Sequence, residues 1–230
     1  MTTHAENAAP AVTRAANPLE GARSTIVAAA LGLASATVAG VLLVRPWPER
    51  DAFEYDQIAP SRDGIWTGVL IDGIAFAVVA LSLSLVVAAL ARTRGAAWAN
   101  VGAVVTTLGG IVFAMGAYAF GSLGWYATDT TVLDEQAGAQ LLDRVVDEVA
   151  HGMVLQMAGF LACTVGTILL SVALLRSRTV SRWVPIAILA LTLAQFTPVP
   201  GRALDFVQIA LMGVFVLLAV MFVRVARSGR

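Results

Sequence analysis

Six apolar runs, separated by gaps that carry arginine, organise this chain: Ser24–Val44, Ile65–Ala91, Ala97–Phe120, Gly152–Leu175, Trp183–Phe196 and Phe206–Val223. Five of them are long enough to cross a hydrocarbon core of about 30 Å as helices rising about 1.5 Å per residue. The fifth run has only 14 residues. Extension through Val199 brings it closer to a full crossing, but Pro198 and Pro200 break helix there, so a re-entrant segment is the alternative. The pattern predicts an all-α fold, an integral membrane six-helix bundle with spans over 24–44, 65–91, 97–120, 152–175, 183–199 and 206–223. Residues 1–22, with no apolar period, are expected to be a disordered cytoplasmic tail. The transmembrane domain then covers 23–226, and 227–230 form a second short tail. Ala34-Ser35-Ala36 resembles a signal-peptide cleavage site, but the apolar run continues to Val44, which favours an uncleaved first helix.

Charge supplies the topology. All 15 basic residues are arginine, which we take as codon usage in a GC-rich genome rather than chemistry. Arg14, Arg23, Arg92, Arg94, Arg176, Arg178, Arg182, Arg224, Arg227 and Arg230 fall in one set of gaps. Arg45, Arg50, Arg62, Arg144 and Arg202 fall in the other, mostly in longer segments. The positive-inside rule then places both termini in the cytoplasm and the protein in a bacterial plasma (inner) membrane, multi-pass. Odd parity would put the C-terminal arginines outside, so charge also favours a full fifth crossing. The two long outer loops hold most of the carboxylates, from Glu49 to Asp63 and from Asp129 to Glu148. The formal net charge is zero, and nothing in it points to nucleic acid.

Helices two and three resemble helices four and five. At an offset of 84, Gly68 falls on Gly152, Phe76 on Phe160, Asp72 on Gln156 and Arg92-Thr93-Arg94 on Arg176-Ser177-Arg178. A parallel duplication about the membrane normal explains this; so does the general likeness of helical hairpins with an arginine turn.

Polar groups within the spans crowd toward the outer side. Asp72 lies about 10 Å below the outer end of helix two, two turns of about 5.4 Å each. Tyr118, His151, Gln156, Gln195, Asp205 and Gln208 sit nearer the outer ends of their helices. Intramembrane ionisable groups are costly and face a bundle interior or a wet cavity. The expectation is an outward-facing polar cavity around Asp72, with His151, Gln156, Asp205 and Gln208 at or near its mouth as a proton or cation site. The bland alternative is interfacial charge plus interhelical hydrogen-bond glue. Arg62 and Arg202 are candidate partners for Asp72. Mid-span threonines such as Thr106, Thr107, Thr164 and Thr167 are expected to bond their own helix backbone.

Between Val132 and Ala150 the apolar residues fall at helical spacing, predicting an amphipathic outer helix that feeds helix four. Asp143, Asp147 and His151 share one face, and Glu148 stands three residues before His151. Carboxylates with an imidazole can hold a divalent metal, although a solvated acidic face needs fewer assumptions. No other chemistry is legible. His4 and His151 are the only histidines, too few for bis-histidine haem in one subunit. No metalloprotease or nucleotide motif is present, and Gly121-Ser122-Leu123-Gly124 lacks hydrolase spacing. No cofactor is expected. The single cysteine, Cys163, has the setting of a packing residue. Gly102, Gly109, Gly110, Gly116 and Gly121 mark helix three as a close-packing helix beside helix two. Tryptophans near both ends of the runs are expected to form interfacial belts.

Helix order and stretches such as Leu174-Leu175-Arg176-Ser177-Arg178 resemble the small polytopic six-span membrane proteins of GC-rich bacteria. That resemblance implies no activity, cofactor or catalytic residue. The functional expectation is a small transporter-like or sensor protein. The alternative is a non-catalytic scaffold or regulatory subunit of a membrane complex. Its partners are expected to be the lipid bilayer and either a second copy or another membrane protein.

Overall fold

Long apolar segments in which alanine, leucine and valine dominate can satisfy their backbone in lipid only as helices, and the chain folds accordingly. The computed structural model describes residues 18–44, 54–148, 153–198 and 202–228. Helix α1 spans Pro18–Val44, short α2 Tyr55–Ile58, α3 Arg62–Leu90, α4 Ala96–Ala127, α5 Glu135–Asp147, α6 Val154–Ser177, α7 Trp183–Ala194 and α8 Ala203–Ser228. Five of these segments are long and apolar enough to cross a membrane, and no strand occurs among the described residues. The protein is an all-α bundle of membrane-spanning character.

Each long helix packs on its neighbours in sequence, α1 on α3, α3 on α4, α4 on α6, α6 on α7 and α7 on α8, and α8 closes the ring on α1. The start of α1 at Gly21 and Ser24 lies beside the end of α8 at Val223 and Arg227, so the first and last described helices meet at one end of the bundle. That end collects Arg23, Arg92, Arg94, Arg176, Arg178, Arg182, Arg224 and Arg227; Arg62, Arg144 and Arg202 are the arginines of the opposite, acidic end among the described residues.

Helix α7 runs between the two ends but differs from the expected fifth span. It stops at Ala194 after 12 residues, a rise of about 18 Å at about 1.5 Å per residue. Gln195–Thr197 continue as turns instead of helix toward Val199. The prolines that follow explain the stop, because a residue preceding proline avoids the helical region.

The arginine end has an apolar core. Leu31 of α1, Leu83, Val86 and Val87 of α3, Leu170 and Leu174 of α6, Ile188 of α7 and Leu218 of α8 are buried together. One polar clasp crosses it. Ser84 Oγ donates to the Ala80 carbonyl of its own helix, and lies 3.2 Å from both the Ala103 carbonyl and Thr107 Oγ1 of α4. Thr107 therefore bonds across to a neighbouring helix rather than to its own backbone, contrary to expectation. Ser84→Ala is expected to cost about 0.6 kcal/mol, the usual size of an interhelical hydrogen bond in a membrane bundle, read from unfolding in mixed detergent.

Glycine sets the α4–α6 approach. Gly102, Gly109 and Gly116 recur every seventh residue on α4, and Gly159 and Gly166 do so on α6. A Cβ on Gly109 would sit 2.6 Å from the Cys163 backbone nitrogen, and one on Gly159 would meet the backbone of Phe113. A strict seven-residue repeat keeps one seam facing its partner in a left-handed crossing. The opposite face of α4 presents Gly110 and Gly121 to Ala80 and Val69 of α3. The expected neighbour, helix two, is thus only one of two helices that close on α4.

Candidate functional site

A partly open cavity of about 40 Å³ lies inside the ring, lined by α3, α4, α6, α7 and α8. The α3 wall is Phe76, Val79, Ala80 and Leu83, and the α6 wall is Phe160, Cys163, Thr164 and Thr167. These two sets are related, residue for residue, by the offset of 84. Helix α8 contributes Gln208, Leu211, Met212 and Phe215, the same i, i+3, i+4, i+7 spacing. Three helices running from the acidic end toward the arginine end therefore show the cavity one equivalent face each. Thr106 of α4 and Thr192 and Gln195 of α7 complete it.

The wall is mostly apolar, so its polar atoms stand out. Thr106 is 2% exposed and Thr192 3% exposed. Neither Oγ1 has a hydrogen-bond partner among the described residues. Burying an unpaired hydroxyl costs about 1–3 kcal/mol. Cys163 Sγ lies 3.5 Å from the Thr106 carbonyl, tying α6 to α4 beside them. The expectation that Thr106 bonds its own helix fails, because its side chain is wedged against Gly166 across the α4–α6 seam.

The expected site residues are placed as follows. Gln208 lines the cavity directly. Asp72 and Gln156 do not line it; each stands one turn toward the acidic end from Phe76 and Phe160, on the same helix faces. Asp205 is three residues before Gln208 on α8 and half-buried. One oxygen of Asp72 and the Oε1 of Gln156 are shut off from solvent, and the latter has no hydrogen-bond partner among the described residues. A tier of Asp72, Gln156 and Asp205 thus precedes the cavity on three helices, whereas the cavity was expected around Asp72 itself. His151 lies outside the described residues.

Arg62 is committed elsewhere than to Asp72. Its guanidinium is 3.3 Å from Asp129 Oδ1, donates to the Thr128 carbonyl at 3.3 Å and lies 4.9 Å from the Trp125 ring centre. Asp129 Oδ1 also accepts from the Thr131 hydroxyl and amide. The Thr131 hydroxyl and then its amide, helped by Arg62 and opposed by burial, hold the Asp129 carboxyl below its ordinary value of 3.8. This depressed value stabilises the α4–α5 connection above 3.8, and the contribution is lost as pH falls through the lowered value. Amide protection factors in residues 128–133, corrected for the intrinsic pH dependence of exchange, are expected to hold steady through neutral pH and to fall only below about 3.8, at a higher pH in Arg62→Gln than in wild type.

The outer helix α5 is shorter than the expected 132–150 segment. Asp134 caps it, accepting from the Ala137 amide at 2.8 Å. Its apolar face packs Leu142 on Ile58 and Ala127, with Gly138 against the Ala127 carbonyl and the Tyr55 ring. The helix therefore caps the end of α4. Asp143 and Asp147 are exposed, and Glu148 is 3.9 Å from Arg144. No group of three His, Cys, Asp or Glu positioned to hold a metal occurs among the described residues.

Compared with protein-family models, with characterised proteins and with solved structures, the chain matches none.

Sequence reasoning named Thr106, Thr164, Thr167, Gln195 and Gln208 without bringing them together, and missed Thr192. The available signal was Thr192 and Gln195 at i and i+3 on an otherwise apolar run.

Proposed function

We propose that this protein is a small transporter-like membrane protein whose central cavity passes or senses a proton or small cation, with Asp72 as the exchangeable site. It resides in the plasma membrane of a bacterium, with the arginine-rich end in the cytoplasm and the acidic end outside, as the positive-inside rule supports. The observation that carries this reading is that Thr106 and Thr192, whose buried hydroxyls have no hydrogen-bond partner among the described residues, both line the cavity inside the ring. A cavity of about 40 Å³ is roomy for one or two waters or a partly hydrated cation, since one water needs at least about 10–15 Å³ by this measure. Asp72, Gln156 and Asp205 supply oxygen ligands one step toward the acidic end. The buried leucines, valines and Phe222 at the arginine end close the other side. Passage then requires those helices to separate, as alternating access does in other bundles.

Difference infrared spectroscopy on reconstituted protein tests this. The expected result is a carboxyl band that changes with pH or added cation and is missing from Asp72→Asn. No such band in wild type, with lowered stability in the variant, would make Asp72 a structural group and would favour a scaffold or regulatory subunit instead.

A further inference from the structure

A second polar site lies on the outside of the ring, at the acidic ends of α3 and α4. A groove there is walled by Asp63, Trp66 and Thr67 of α3 and by Tyr118, Ser122 and Trp125 of α4, with Tyr126 at its rim. The interfacial belt accounts for single tryptophans at helix ends; it does not account for a carboxylate held by one aromatic side chain in a groove that three others line. Trp125 Nε1 donates to Asp63 Oδ1 at 2.7 Å, so the carboxylate is held in place. Its other oxygen takes no hydrogen bond among the described residues. Arg62, its neighbour in sequence, is turned onto Asp129 and one face of Trp125. The groove thus keeps a fixed negative charge beside exposed π faces, Tyr118 being 54% and Tyr126 55% exposed.

Aromatic faces around an anion select organic cations, alkylammonium and quaternary ammonium groups above all. The position selects the source. Asp63 and Trp125 stand at the ends of apolar helices, the level of lipid headgroups. Tyr118 lies two turns deeper, and its face of α4 continues through Met115, Ile111 and Leu108, all exposed and apolar. A free amine would use only the rim. A lipid would use the whole feature, with its ammonium on Asp63 and an acyl chain along the α4 stripe. We infer that this groove is a binding site for a membrane lipid with an alkylammonium headgroup, recognised by Asp63 together with Trp66 and Tyr126, with Tyr118 on the path of the acyl chain.

Native mass spectrometry of the intact protein, offered phosphatidylethanolamine and phosphatidylglycerol in equal amounts, tests the inference. Wild type is expected to retain phosphatidylethanolamine preferentially. Asp63→Asn keeps an acceptor for Trp125 Nε1 but loses the charge, and is expected to weaken that retention about tenfold while leaving the melting temperature unchanged. Tyr126→Leu preserves apolar bulk, removes an exposed π face at the headgroup level and is expected to act in the same direction. Equal retention of both lipids, or retention unchanged in both variants, overturns the inference. Displacement of the lipid by millimolar free ethanolamine overturns the assignment to a lipid and makes a soluble amine the occupant.

Discussion

Gly159→Ala will destabilise the bundle by about 2–3 kcal/mol, the upper part of the range for overpacking a well-packed core. A Cβ at this position meets the Phe113 backbone and stands 2.8 Å from the Gly109 carbonyl. Backbone cannot rotate aside as a side chain can, so α6 must move off α4 along its length. Dispersion attraction falls by a quarter or more when packed atoms separate by even half an ångström, and in lipid no hydrophobic term compensates, because the tails are as apolar as the helices. Gly213→Ala is the internal control. It adds the same methyl where nothing lies within 4 Å and is expected to be neutral or to stabilise by a few tenths of a kcal/mol through helix propensity. Equal effects of the two substitutions in a detergent unfolding titration would mean that glycine governs helix propensity here and not helix approach.

Thr106→Val combined with Thr192→Val will raise stability by about 1 kcal/mol or more and at the same time slow cation- or proton-driven flux in proteoliposomes at least about tenfold. The two effects have one cause. Each substitution preserves volume and removes a buried hydroxyl that has no hydrogen-bond partner among the described residues. Relieving an unsatisfied buried polar group returns about 1–3 kcal/mol. On the proposed function the same oxygens replace water around a charge crossing the cavity, and forfeiting about 1.4 kcal/mol of that stabilisation would slow passage tenfold. Opposed changes in stability and activity mark a functional site held at a cost to the fold. A loss of stability in the double variant would instead assign the hydroxyls to structural hydrogen bonds and remove the observation on which the proposed function rests.

The offset of 84 shows how far a linear pattern reaches. It related Phe76 to Phe160 and Asp72 to Gln156, and the fold gives it a physical content, since positions 76, 79, 80 and 83 and their counterparts 160, 163, 164 and 167 face one cavity. The third such face, on α8, shares the spacing but not the residues. Gln208 stands where the other two helices have phenylalanine, so no self-comparison of the chain could find it.

Hydropathy and arginine placement alone determined that this is a helical membrane bundle, that the ends differ in charge, and that polar groups gather toward one of them. Those properties are one-dimensional: a long apolar run must become a helix in lipid because its backbone has no other partner there. Partner choice is not one-dimensional. That α4 closes on α6 through Gly109 and Gly159, that Arg62 pairs with Asp129 instead of Asp72, and that Thr192 joins Thr106 across the cavity depended on the rotation of each helix about its axis. Rotation is settled by which small residues let two backbones approach most closely, a contest among all six helices at once that only the assembled ring decides.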